Sequence, residues 1–388
     1  MNYNFDQIID RSNSDSAKWI YYNDDPLPLW VADMDFRSPE PVIRALHERI
    51  EHGVFGYCMP PVELAETICQ RMRDLYDWEI TPGQIIYVPS IVAGFNYVCR
   101  TIGQPGDEIL TLTPVYPPFL TAPRFQDRVL TTVDLTLVKQ GQHIDYEIDY
   151  DLFESSITPQ TRGFMFCNPH NPIGRGYSLE EQQRLAEICL RHDITICSDE
   201  IHSDLLLGDT THIPMATLSP EIADRCVTLI APSKTFNQPG LQCGIAIIQN
   251  DTLRRSYEKA MRGLAGHINI LGYTGALAAY TQGGEWLTQL LAYLTANRDY
   301  AVQYIGDNMP TIDATYPTAT YLTWLDCRNA GIEGNPHQFF LTEANVALND
   351  GQSFGKAGKG FVRLNFGCPR SILTQALDQM RDALDKIG

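Results

Sequence analysis

The stretch Val227-Thr228-Leu229-Ile230-Ala231-Pro232-Ser233-Lys234-Thr235-Phe236-Asn237 decides how the chain is read. Its first four residues are apolar or β-branched, as in a short buried strand, and Pro232 then ends the run. Lys234 therefore stands where a strand leaves a sheet, at its carboxyl edge. Four earlier stretches follow the same pattern. Ile85-Ile86-Tyr87-Val88 runs into Ser90, and Glu108-Ile109-Leu110-Thr111-Leu112 runs into Tyr116. Arg162-Gly163-Phe164-Met165-Phe166 precedes Asn168-Pro169-His170-Asn171-Pro172-Ile173-Gly174, and Ile194-Thr195-Ile196-Cys197 precedes Asp199-Glu200-Ile201-His202. Helical spacing lies between the strands, for example over Leu179–Arg191, with Ser178 as its N-cap. Continuous apolar strands alternating with helices predict an α/β fold whose sheet, mostly parallel but mixed, is covered on both faces. Ligands of such sheets bind beyond the carboxyl ends of the strands, where these five sets of polar residues gather.

The 388 residues exceed what one hydrophobic core usually serves, and the pattern divides them accordingly. Residues 1–40 are irregular and punctuated by Pro26, Pro28 and Pro39, which reads as an N-terminal arm packing with the small domain. Residues 41–282 hold the alternating units of a large domain. Residues 283–388 open with a long helical stretch from Trp286 and read as a smaller α+β domain. The net charge of −18 argues against nucleic acid and against an anionic membrane surface as partners. Ten cysteines are scattered without a C-x-x-C pair, so no metal site is expected, and the thiols suit a reducing compartment. With neither a signal peptide nor an apolar run of ~20 residues in view, the expectation is a cytoplasmic protein.

Three motifs in order, N-P-H-N-P-I-G, S-D-E-I-H and A-P-S-K-T-F-N, resemble the fold-type I pyridoxal 5′-phosphate (PLP) enzymes, the aspartate aminotransferase superfamily. The resemblance runs over nearly the whole chain and implies the cofactor, an electron sink held by a lysine, a carboxylate and a phosphate site. It implies that Lys234 carries PLP as a Schiff base and, once displaced by substrate, takes the Cα proton. Asp199 would keep the pyridine nitrogen protonated. Ile201 and Tyr116 would cover the two ring faces, Tyr116 counting with Lys234 among the catalytic residues. Asn171 would donate to the ring's phenolic oxygen beside the substrate, and His202 stands where family members often have tyrosine. For the phosphate, the helix opened by Ser90, Ile91 and Val92 offers amides and a dipole, and Ser233 adds a hydroxyl. Tyr57 matches a tyrosine that reaches the neighbouring subunit's phosphate, which implies a homodimer with shared active sites. Arg363 shares a strand face with Phe361 and Asn365, and its fork suits the substrate's α-carboxylate.

Within the superfamily, Ala231 and Gln242 stand where aminotransferases commonly carry a serine and an arginine for the phosphate. Val31-Ala32-Asp33-Met34-Asp35-Phe36, His52-Gly53-Val54-Phe55-Gly56-Tyr57 and Gly367-Cys368-Pro369-Arg370 resemble instead the carbon–sulfur lyase branch of MalY/PatB-type cystathionine β-lyases and cystalysin. That branch implies α,β-elimination of cystathionine- or cysteine-type amino acids to pyruvate, ammonia and a thiol. An aminotransferase shares every group through proton abstraction, and an added regulatory binding role is a further alternative.

Overall fold

The computed structural model describes residues 2–22, 25–264 and 267–387. Among these, seven strands form the main sheet: β1 (Ile85–Val88), β2 (Glu108–Thr113), β3 (Val129–Asp134), β4 (Thr161–Cys167), β5 (Thr195–Asp199), β6 (Cys226–Ile230) and β7 (Gly244–Ile247). Their order is β1-β7-β6-β5-β4-β2-β3. All pairs are parallel except those of β7, which runs antiparallel to β1 and β6.

The five strands read from the sequence are present, with ends that shift by a residue or two. β3 and β7 escape that reading for physical reasons. β3 lies at the sheet edge with only Val133 buried, so its threonines and Asp134 dilute the apolar signal. β7 is Gly-Ile-Ala-Ile, half of it small residues with little β-propensity, although the strand is fully buried.

Alternating side chains on each strand enter different cores. On one face Val88, Cys197 and Leu229 meet Phe95, Phe119 and Tyr257 from helices Ile91–Thr101, Pro117–Phe125 and Asp251–Met261. On the other, Phe164, Ile196 and Ile230 meet Ile68, Leu185 and Ala276 from helices Val62–Tyr76, Leu179–Arg191 and Ile270–Gln282. Each fully buried large side chain of this kind contributes roughly 1.5–3 kcal/mol. Cys197 and Cys226 behave as small apolar fillers in these layers.

A second sheet has six strands in the order Asn349–Asp350, Phe361–Asn365, Leu322–Asp326, Asp313–Ala314, His143–Glu147 and Thr136–Gln140. Its last two strands are a hairpin that leaves β3 and crosses to the C-terminal part of the chain. Trp324 secures the crossing: its indole donates to the Tyr146 hydroxyl at 3.0 Å, and its ring stacks on Phe361 with centroids 5.2 Å apart. The N-terminal part of the chain is tied in as well, since Leu27–Pro28 pairs in parallel with Val346–Ala347. Among the described residues no helix is long and apolar enough to cross a membrane.

Candidate active site

The carboxyl ends of β2, β4, β5 and β6 converge on a cleft of about 770 Å³, its open mouth included. Lys234, Asp199, Asn171, Tyr116, Ile201, His202, Ser90, Ile91, Val92 and Ser233 all line it. Local rules explain how the sequence delivers them. Ser90 caps helix Ile91–Thr101 by accepting the Ala93 amide at 3.1 Å, and the first in-helix bond runs from the Gly94 amide to the Ser90 carbonyl. The amides of Ile91 and Val92 precede that bond, so the helix's positive end faces the cleft. Gln242 borders the same end in a left-handed conformation at φ 55°.

The loop bearing Asn171 is braced from several sides. His170 Nε2 lies 2.7 Å from the Pro114 carbonyl and its Nδ1 lies 2.9 Å from the Tyr177 hydroxyl. Burial pushes the His170 pKa down to about 4, so the ring is a neutral strut. Gly174 turns the loop at φ 81°, where a Cβ would meet the Leu322 carbonyl at 2.7 Å, so only glycine fits. The Tyr116 amide donates to the Asn171 carbonyl at 3.1 Å, which fixes these two cleft residues to each other.

Arg363 enters from the second sheet. Its guanidinium donates to Asn171 Oδ1 and to the Trp30 carbonyl, each at 2.8 Å, and also to Asn349 Oδ1. Its buried Nε has no hydrogen-bond partner among the described residues, and neither has His202 Nδ1. Arg363 thus stands behind Asn171 rather than in the cleft wall, and Tyr57 lies away from the cleft, fully exposed on the loop before helix Val62–Tyr76.

Burial governs the electrostatics, because enclosure disfavours every charged form. The Lys234 pKa is pushed down to about 8 by burial and by Arg363, against the pull of Asp33 and Asp199. The Asp199 carboxyl is pushed up to about 7 by burial, with Glu200 adding repulsion, while the Ile201 amide at 3.2 Å and Lys234 oppose the rise. Burial lowers His202 to about 3 and Arg363 to about 10.

Residues 31–36, quoted above only as a mark of the lyase branch, take a direct part in the site. With Trp30 they cross the edge of the cleft as a bent strap whose carbonyls are captured by side chains. Lys234 Nζ donates to the Ala32 carbonyl at 2.6 Å, and the Tyr321 hydroxyl donates to the same oxygen at 2.9 Å. Asn365 takes the carbonyls of Val31 and Asp33, and Asn237 those of Met34 and Phe36. Asn365 was recognisable on Arg363's strand face, whereas a tyrosine such as Tyr321 in an apolar run reads as core. An amine, a buried carboxylate, hydroxyls and helix amides form a donor set for an organic anion with a basic nitrogen. Among the described residues no group of three or more His, Cys, Asp or Glu is arranged to hold a metal ion.

A mixed sheet with a lysine, a carboxylate and a helix N-terminus converging on its carboxyl edge defines the aminotransferase-like class of cofactor-binding folds. The chain belongs to the aminotransferase class I and II family, whose profile matches residues 25–380. It is 37% identical to cystathionine β-lyase PatB of Bacillus subtilis (strain 168), over 98% of this chain and 100% of that protein. Its fold is similar to that of cystalysin from Treponema denticola, which contains a pyridoxal 5′-phosphate cofactor. That likeness has a TM-score of 0.94 at 31% identity and covers 100% of both chains. It is also similar to a PLP-bound putative aminotransferase from Clostridium difficile 630, with TM-score 0.94 and 36% identity over 99% of this chain and 100% of that one.

The raised Asp199 pKa has a measurable sign. The folded chain holds this proton more tightly than the unfolded chain, so ionisation destabilises the ligand-free protein as pH rises from about 4 towards 7, and the full cost is present above 7. Asp199→Asn, which cannot ionise, should therefore stabilise ligand-free protein by on the order of 2–4 kcal/mol above pH 7, with no gain near pH 4. Thermal unfolding of the two proteins across this range checks the expectation.

Proposed function

We propose that this chain is a PLP-dependent carbon–sulfur β-lyase that converts L-cystathionine or cysteine-type amino acids, with water, to pyruvate, ammonia and a thiol. The observation that carries the proposal is the meeting of Lys234, Asp199 and Asn171 at one cleft, with Arg363 bonded to Asn171 from behind, in a chain related along its length to PatB. The cleft fits the cofactor on its own terms. The buried Asp199 carboxyl lacks a full complement of cationic partners, which a pyridinium would supply, and the buried His202 Nδ1 in the cleft wall has no hydrogen-bond partner among the described residues.

In this reading Lys234 holds PLP covalently and Asp199 pairs with the ring nitrogen. Asn171 and His202 edge the ring, and Tyr116 and Ile201 cover its faces. Ser233 and the amides of Ser90, Ile91 and Val92 take the phosphate. When bound, the cofactor supplies an electron sink for the pair left by the Cα–H bond. The chain's own residues do the rest. Arg363 binds the substrate carboxylate through Nη1, now spent on Asn171, while Asn349 and the Trp30 carbonyl hold Nη2 from behind. Lys234, whose lowered pKa makes its amine available as a base, takes the Cα proton on its lone pair. The Cα electron pair then forms a Cα=Cβ double bond as the Cβ–S bond breaks with both its electrons leaving on sulfur. The Lys234 ammonium gives its proton to the thiolate, and water hydrolyses the released aminoacrylate to pyruvate and ammonia.

Ile50, Val54, Phe55, Tyr57, Met59 and Val62 form an exposed apolar run on one loop and its flanks. Such a patch supports a homodimer in which Tyr57 completes the partner's phosphate site. The reading also assigns residues 1–40 to an arm, 41–282 to the large cofactor-binding domain and 283–388 to the small one, with the 136–147 hairpin packed across. It assigns the protein to the cytoplasm, a compartment that suits ten free cysteines.

Purified, PLP-loaded protein given L-cystathionine without any keto acid should yield equal amounts of pyruvate, ammonia and homocysteine, and Lys234→Ala should yield none. Amino transfer on adding a keto acid, with no ammonia, would instead make this an aminotransferase. Arg363→Lys loses the planar fork, so KM should rise roughly 10- to 100-fold with a smaller change in kcat. A KM like the parent's would remove Arg363 from the carboxylate site. Tyr57→Phe, expected to be impaired, and Lys234→Ala, expected to be inactive, when mixed and allowed to exchange subunits should show more activity than the sum of the two alone; no gain would count against shared sites.

A further inference from the structure

Lys234 must offer its lone pair in one direction, and the structure shows what aims it. A carbonyl oxygen has two acceptor positions, and at Ala32 both are taken, one by Lys234 Nζ and one by the Tyr321 hydroxyl. The lysine places one N–H on this oxygen, whose direction Tyr321 fixes from the other side, and its remaining positions are left to face the cleft. Tyr321 is buried in the second sheet's core, and burial raises its pKa far above the ordinary value, so the hydroxyl remains a donor.

The carbonyl itself is held by a compact charged cluster. Lys18, almost wholly buried, donates to Asp35 at 2.6 Å and to the Asp33 carbonyl at 3.0 Å. Arg11 bridges Asp33 and Asp35 at 3.1 and 2.6 Å, and the Trp19 indole donates to Asp35 at 3.1 Å. Two cations and two carboxylates pin the residues on one side of Ala32, while Arg363 holds Trp30 on the other.

We propose that Tyr321 is a positioning residue for Lys234, acting through the Ala32 carbonyl, which the Arg11–Lys18–Asp33–Asp35 cluster keeps in place. The proposal rests on Lys234 being the cofactor lysine. By donating to the same oxygen, Tyr321 takes up part of its acceptor strength, so the ammonium form gains less there and the neutral amine is favoured. The other groups facing Lys234 are Asp33 and Asp199, which favour the ammonium, Arg363, which opposes it, and His202 and Tyr116, both neutral near pH 7.

The test is the pH dependence with which the cofactor-free full chain captures PLP, read by borohydride trapping and mass spectrometry of the Lys234 peptide. Capture requires the neutral amine, so its midpoint reports on Lys234 and is expected near pH 8 in the parent. Tyr321→Phe should raise the midpoint by about half a pH unit or more. In the loaded enzyme it should lower kcat about tenfold at pH 7, with KM within about twofold. If this variant does not fold, 3-fluorotyrosine placed at 321 keeps the shape and is a stronger donor, so the midpoint should fall. A midpoint equal to the parent's, or a shift in the opposite direction, in whichever protein folds overturns the proposal. Covalent capture by Lys234→Ala would instead overturn the assignment of the lysine itself.

Discussion

The seam along residues 30–36 is the constraint on which the cleft depends. This strap forms few backbone ladder bonds, so its carbonyls need side-chain donors, and those donors come from both sheets. Lys234 and Asn237 reach it from the end of β6, while Arg363, Asn365 and Tyr321 reach it from the C-terminal sheet. Buried carbonyls that lose their partners are costly, which makes the strap and the residues around the cleft fold as one unit. The same bonds that satisfy the strap therefore set the orientation of the lysine and the arginine.

Enclosure gives the cleft its chemical character. Lys234, His202 and Arg363 are all shifted towards neutrality, and Asp199 is shifted towards its protonated form, with burial as the first cause in each case. A ligand that carries a cation for Asp199 and a carboxylate for Arg363 would return these groups to the charged forms they prefer in water. Binding and protonation are thereby coupled, and the lysine is left as the group whose proton can move. The Arg11–Lys18–Asp33–Asp35 cluster works differently: Lys18 and Asp35 are buried but paired at 2.6 Å, so their charges offset each other and hold the strap.

The local grammar of strand ends made much of this legible. A polar residue directly after a buried apolar run has few places to go but the carboxyl edge, which is why Ser90, Tyr116, Asn171, Asp199 and Lys234 were found together. Edge strand β3 and the small-residue strand β7 lacked the periodic apolar signal. The hairpin at 136–147 alternates like any two-stranded ribbon, and nothing local to it says that its partner strand lies at Asp313–Ala314. Tyr57 was legible only by resemblance, and the fold of a single chain leaves it in solvent.

The sequence by itself determined the class of sheet, the order of its motifs, and the identity of the lysine, carboxylate and amide that meet at its edge. These are properties of short segments, and residue type and spacing express them directly. Only the tertiary structure decided that Tyr321 and Lys234 share the Ala32 carbonyl, that Asn349 backs Arg363, and that Lys18 is buried against Asp35. Those contacts join residues tens to hundreds of positions apart, or place a charge inside the core against its usual preference, and both outcomes depend on how the two sheets and the N-terminal residues pack rather than on any local pattern.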